Sequence, residues 1–165
     1  MSDESPSDRF KSVLAGASRA IAHEKEIEVN WTADAPSASG GLPRGAAMQA
    51  RGYADSFALK VRHHNDKLHM RKAPSEPSAR ACYDAVEAVR YEALGANAYP
   101  GMRENLNASL MARMASDPIM RAETPDQVPV QSALALMLRE KLTGQPIPEA
   151  AQAGVDMVRS WIEEK

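Results

Sequence analysis

A single cysteine, Cys82, stands among the 165 residues. It excludes an internal disulfide and any zinc site built on cysteine pairs, and a lone thiol suits a reducing compartment. Aromatic residues are only 5% of the chain, so the core must rest on Leu, Val, Ile, Ala and Met. No stretch approaches the roughly 20 apolar residues that span a bilayer. The opening MSDESPSDRF is acidic and polar, without the apolar run of a secretion signal or an anchor. A soluble cytoplasmic protein is the expectation. Charge of one sign is missing too: the net charge is −2, which gives no global electrostatic case for nucleic acid. There is no Gly-x-Ser-x-Gly elbow and no Gly-x-x-x-x-Gly-Lys-Ser/Thr phosphate loop, so neither serine-hydrolase chemistry nor that mode of ATP binding is expected.

What is present favours helices. Nine Met and many Ala are strong helix formers. Ser7 is placed as a helix cap before Phe10, Val13, Leu14, Ala17 and Ile21, one apolar face at helical spacing. In EIEVNWTA, Ile27, Val29, Trp31 and Ala33 alternate with polar residues, the one strand signature in the chain. DAPSASGGLPRG reads as a loop, with Leu42 as the start of a short pairing strand. Residues 46–72 hold no Pro and predict one long helix. Further helices are predicted over about 78–95, with Cys82, Val86, Val89 and Ala93 on one stripe, and over about 102–114, with Met102, Leu106, Leu110 and Met114. VQSALALMLREKLTG closes on Gly144, and a last helix carries Val155, Val158 and Ile162 in register. The fold class is mainly α: a compact bundle of five to six helices with one small β element near residues 27–45. Residues 1–7 form a disordered start, 8–145 the helical domain, and 146–165 a C-terminal helix. Cys82, on an apolar stripe, is expected to be inert packing, and the methionines gap fillers.

The chemistry-bearing stretch is KVRHHNDKLHM, with three of the four histidines. Residues 46–72 hold six Lys/Arg against two Asp, hence +4, leaving −6 for the rest of a chain of net −2. On a continuous helix at about 100° per residue, Ala50, Ala54, Phe57, Val61 and Leu68 share the core stripe, and His64 lies at its border with a satisfied hydrogen bond. His63 points nearly the opposite way, and His69 lies on a third side beside Asp66. Chelation by one helix needs i,i+3 or i,i+4 ligands, and only Asp66 and His69 have that spacing, so His63, Asp66 and His69 are weak metal candidates. Arg51–Asp55 and Arg62–Asp66 are i,i+4 pairs of about 0.2–0.5 kcal/mol each. Two readings of that flank stand side by side: a solvated, salt-bridged face, or a polar network completed by a neighbouring helix with its Glu76–Arg80 and Arg80–Asp84 spacings. The basic residues surround the helix axis, and the aromatics there are only Tyr53 and core-facing Phe57, so the nucleic-acid signal is weak. No nucleophile–base pair can be assembled, and no catalytic residue is assigned.

Three segments, VNWTADAP, ARGYADSFALKVRHHNDKLH and ARACYDAVEAVRYEALGA, together resemble the N-terminal region of the CobT-type subunit of aerobic cobaltochelatase. The resemblance lies in a Thr-Ala-Asp-Ala-Pro segment, an Arg-Gly-x-Ala-Asp-Ser helix running into Arg-His-His-Asn, and an Asp-Ala-Val-Glu helix ending in Glu-Ala-Leu-Gly-Ala. SALALMLREKLTG is also similar, and the whole covers about residues 8–145. It implies a place in the aerobic cobalamin pathway, where an ATP-dependent complex inserts Co(II) into hydrogenobyrinic acid a,c-diamide. An AAA+ ATPase subunit and a large corrin-binding subunit are the implied partners, and ATP, Mg and Co(II) the implied requirements of the complex, with no cofactor held by this domain. Family members continue through an acidic linker into a von Willebrand A-type domain with an Asp-x-Ser-x-Ser motif, which does not occur here; the expectation is an N-terminal domain on its own. The resemblance thus implies a non-catalytic assembly and scaffold domain, with Arg51, Asp55, Arg62, His63 and Asn65 as candidate partner contacts. The alternatives are a transient metal-delivery module using His63, Asp66 and His69, and a small nucleic-acid-binding helical domain.

Overall fold

The computed structural model describes residues 5–28 and 44–164. Seven α-helices are found among them: α1 (Pro6–Ala22), α2 (Arg44–His63), α3 (Asp66–Lys72), α4 (Pro77–Ala98), α5 (Pro100–Met114), α6 (Val130–Thr143) and α7 (Glu149–Glu163). Two short 3₁₀ turns, Pro118–Arg121 and Pro125–Gln127, link α5 to α6. The punctuation is local chemistry. Ser5, rather than Ser7, caps α1 by accepting the Asp8 amide at 3.1 Å, with Pro6 in the first turn. Glu76 caps α4 by accepting the Ser78 and Ala79 amides at 3.0 and 2.6 Å ahead of Pro77, and these bonds hold its carboxyl below the ordinary range. Gly144, at φ 68°, ends α6 in the left-handed conformation that glycine adopts without strain.

The core has two parts. Met114, Ile119, Val128, Ala133, Leu136, Ile147, Ala151, Val155 and Val158 pack the C-terminal half. Leu59, Ala96, Met102 and Leu106 form the centre of the N-terminal half, with Ile21 and Tyr91 against it. Helix α4 packs on α2 and α5 on one side and on α6 on the other, so it joins the two. The predicted apolar registers of α5 and α7 are found: Met102, Leu106 and Met114 are buried, as are Val155 and Val158.

Three expectations are corrected. The small β element is not supported, because no strand is present among the described residues. Ile27 is buried against Ala22 and Ala58, and its carbonyl accepts from Arg19 Nε at 3.2 Å instead of from a strand partner. Arg44 already opens α2, while Val29, Trp31, Ala33 and Leu42 lie outside the described residues. The single helix over 46–72 is two helices, broken at His64–Asn65. The core stripe of α2 is also rotated: Gly52, Ala54, Asp55, Ser56, Ala58 and Leu59 are buried, whereas Phe57, Val61 and Leu68 are 41–47% exposed.

The cause of the rotation is close helix approach. A methyl group placed on Gly52 would overlap the backbone carbonyl oxygen of Asn105, so α2 and α5 meet with no room for a side chain. Gly95 in the same way receives the Leu59 side chain. The buried side of α2 is therefore lined mostly by small residues, with Leu59 its one fully buried large apolar side chain, while Phe57 and Val61 are turned outward.

Candidate functional site: a histidine and carboxylate junction

The break between α2 and α3 creates the most chemically dense place among the described residues. Asn65 is extended and its Oδ1 accepts the Leu68 amide at 2.9 Å, so it starts α3 as an N-cap. The bend turns His64 and His69 toward α4. His64 Nδ1 lies 2.7 Å from Glu87 Oε1, and its Nε2 lies 3.2 Å from Asp66 Oδ1. His69 Nε2 lies 2.7 Å from Asp84 Oδ1, which also accepts from Arg80 Nε at 2.9 Å. The two imidazoles meet edge to face at 4.7 Å, and His69 stacks on Tyr83 at 4.4 Å. A cleft of about 380 Å³ is lined here by Lys60, His64, His69, Arg80, Glu87 and Tyr91, among others.

The electrostatics follow from these contacts. Glu87 is held at about 2, first by its hydrogen bonds from Arg90 and then by His64, against the effect of partial burial. Asp84 is held below the ordinary carboxylate range mainly by His69, with Arg80 adding to it. His63 is pushed down, first by loss of solvent and then by the cations Arg62, Arg90 and His23.

The motif residues are mostly committed to joints between helices. Arg62 Nη1 donates to the Ile21 carbonyl at 3.3 Å, binding the end of α1 to α2. The His63 carbonyl, at the end of α2, accepts from Arg90 Nη2 at 2.6 Å. Asp55 is buried and accepts from Asn105 Nδ2 at 3.0 Å; burial raises its carboxyl, opposed by Asn105 and by the charge of Arg51. Ser56 donates to Glu92 at 2.6 Å, and Arg113 pairs with the same carboxylate at 3.1 Å. Arg51 is exposed, with its guanidinium 5.5 Å from the Phe10 ring centre. Among the predicted contact residues, Asp55 is thus enclosed, Arg62 and Asn65 serve local structure, and Arg51 faces outward.

The weak metal candidates do not converge. Asp66 meets His64, His69 meets Asp84, and His63 sits among cations. No group of three or more His, Cys, Asp or Glu side chains is placed to hold a metal ion among the described residues. Arg62 and Asp66 do not pair. Of that flank only His69 meets a carboxylate of α4, Asp84, which also accepts from Arg80, while Asp66 is 85% exposed. Glu87 and Tyr91 were missed by sequence reasoning, although with Asp84 their i, i+3, i+7 spacing puts them on one face of α4.

No helix among the described residues is long and apolar enough to cross a membrane. No solved structure matches this chain. The family model for cobalamin biosynthesis protein CobT matches residues 4–165. Within that span Gly52, Asp55 and Ser56 seat α2 on its neighbours, while Arg62, His64 and Asn65 turn the chain into α3 and tie it to α1 and α4. The chain belongs to the CobT family.

Proposed function

We propose that this chain is an assembly domain of a cobaltochelatase subunit, and that it docks on the AAA+ ATPase partner of the complex that inserts Co(II) into a corrin ring. Its contribution is binding and not chemistry. Family membership supports the pathway. The observation that carries the docking role is the outward side of α2: Tyr53, Phe57 and Val61 stand at i, i+4 and i+8, all substantially exposed, with Lys60 beside them. A contiguous exposed apolar row rimmed by charge marks a protein-binding surface, and aromatic side chains are favoured anchors in such surfaces. The internal commitments of Asp55, Arg62 and Asn65 move the expected contact from the motif's polar side to this row.

The test is to mix the chain with the AAA+ subunit and ATP and to follow mass by light scattering behind a sizing column. Co-elution with the ATPase ring at increased mass is the expected result. A chain that elutes alone at every ratio would contradict the docking role.

A further inference from the structure

Lys60 lies where two surface features meet. It stands beside the row of Tyr53, Phe57 and Val61 on α2, and it also lines the cleft between α2, α3 and α4. Met70, 64% exposed, lines the same cleft from α3, and Leu68 is exposed on that helix too. The apolar row is thus continued at its C-terminal end by the cleft and by α3.

The charges at this end of the molecule are unequally answered. Glu76 accepts the Ser78 and Ala79 amides, Asp84 meets His69 and Arg80, and Glu87 meets Arg90 and His64. By contrast, Lys60, Lys67, Arg71 and Lys72 are exposed, and none of them forms an ion pair among the described residues. Lys67 and Arg71 stand at i and i+4 on the side of α3 opposite His69, whose ring is turned to Asp84. Of the two carboxylates on α2 and α3, Asp55 is buried and only Asp66 reaches solvent. Four unanswered cations therefore stand against one exposed carboxylate.

The chain as a whole has a net charge of −2, so this is segregation of charge and not general basicity. Aromatic and apolar anchors with unanswered positive charge at one end fit a partner of the opposite pattern, bulky apolar residues followed by Asp and Glu. Opposite charges across a rim steer encounter and disfavour wrong partners. A nucleic acid fits less well, because the cations lie at one end and the centre of the surface is apolar.

We infer that the partner segment, on the reading that this chain docks on the ATPase subunit, is acidic and amphipathic. Its apolar side chains lie along Tyr53, Phe57 and Val61, and its carboxylates meet Lys60, Lys67 and Arg71.

The experiment titrates the ATPase subunit with ATP against the chain at salt from about 0.05 to about 0.5 M, a range over which exposed charges become screened. The parent is expected to bind more weakly as salt rises. Lys60→Glu/Lys67→Glu should lose at least about tenfold in affinity at low salt and show a flatter salt dependence. Lys60→Gln/Lys67→Gln, which adds no repulsion within α3, should move the same way by less. Arg121→Glu/Lys141→Glu changes the net charge equally at exposed sites of the C-terminal half and should bind like the parent. An affinity indifferent to salt, a Lys60/Lys67 reversal that binds as the parent does, or an equal loss in the Arg121/Lys141 variant would overturn the acidic partner while leaving docking in place. A parent that does not bind at all would overturn the docking role, and the acidic partner with it.

Discussion

Single residues carry much of this fold, and two of them make sharp predictions. Gly52 lies against the carbonyl oxygen of Asn105, a backbone atom that cannot rotate away. Gly52→Ala should therefore lower stability by about 2–3 kcal/mol, as overpacking does, although alanine is ordinarily the better helix former. Denaturant unfolding measures this, and an unchanged midpoint would show that α2 and α5 do not meet so closely. Asp55 behaves in the opposite way. Its carboxyl is raised by burial, so the folded state binds its proton more tightly than the unfolded chain, and its ionised form weighs against folding. Asp55→Asn keeps an acceptor for Asn105 and removes that burden, so it should raise the melting temperature at neutral pH. The advantage should shrink as pH falls into the range where the native carboxyl takes up its proton. Neither effect was legible from hydropathy: a glycine and an aspartate on a helix read as a solvated face, and only the close approach of α5 reverses the reading. Ile27 shows the same limit, because its alternation with Val29 and Trp31 reads as a strand while the residue serves as a single buried anchor.

At the scale of elements, α4 to α7 were legible because Gly, Pro and apolar periodicity agree there. The α2–α3 break was not, since no Gly or Pro marks it. Its only local signal is Asn65, a favoured cap residue in the midst of an unbroken helical pattern. The break changes the meaning of the histidines: angles taken from one continuous helix put His64 and His69 on different sides, whereas the bend brings their rings to 4.7 Å. The junction with α4 also sets an acid limit. Glu87 is held at about 2 against an ordinary value of 4.5, so its contribution is fully present above about pH 4.5 and is lost as pH falls toward 2. Thermal melts from pH 6 downward should therefore show a loss in that window that is smaller in Glu87→Gln, a variant expected to be less stable at neutral pH, the remainder coming from carboxylates such as Asp84. Parallel curves for parent and variant would mean that Arg90 and His64 do not hold this carboxylate in solution.

At the scale of the whole molecule, α4 joins the two parts of the core, and α2 packs on α5, α1 and α4 while leaving the Tyr53, Phe57 and Val61 row to solvent. The family pattern could be seen in the sequence, but what its residues do could not. Arg-Gly-x-Ala-Asp-Ser seats α2 on α4 and α5, and Arg-His-His-Asn turns the chain into α3. Phe57 and Val61, assigned to the core by periodicity, stand instead in the outward row with Tyr53, while Leu59 and small residues fill the inward side.

The most direct test of this division between inward joints and outward row is binding of Phe57→Glu/Val61→Glu to the AAA+ subunit, measured by light scattering with ATP. Both side chains are exposed, so the variant should melt within a few degrees of the parent, as surface changes do, yet lose affinity at least about tenfold, the effect expected of interface anchors. Unaltered binding by a folded double variant would contradict the account and return the docking contact to another surface.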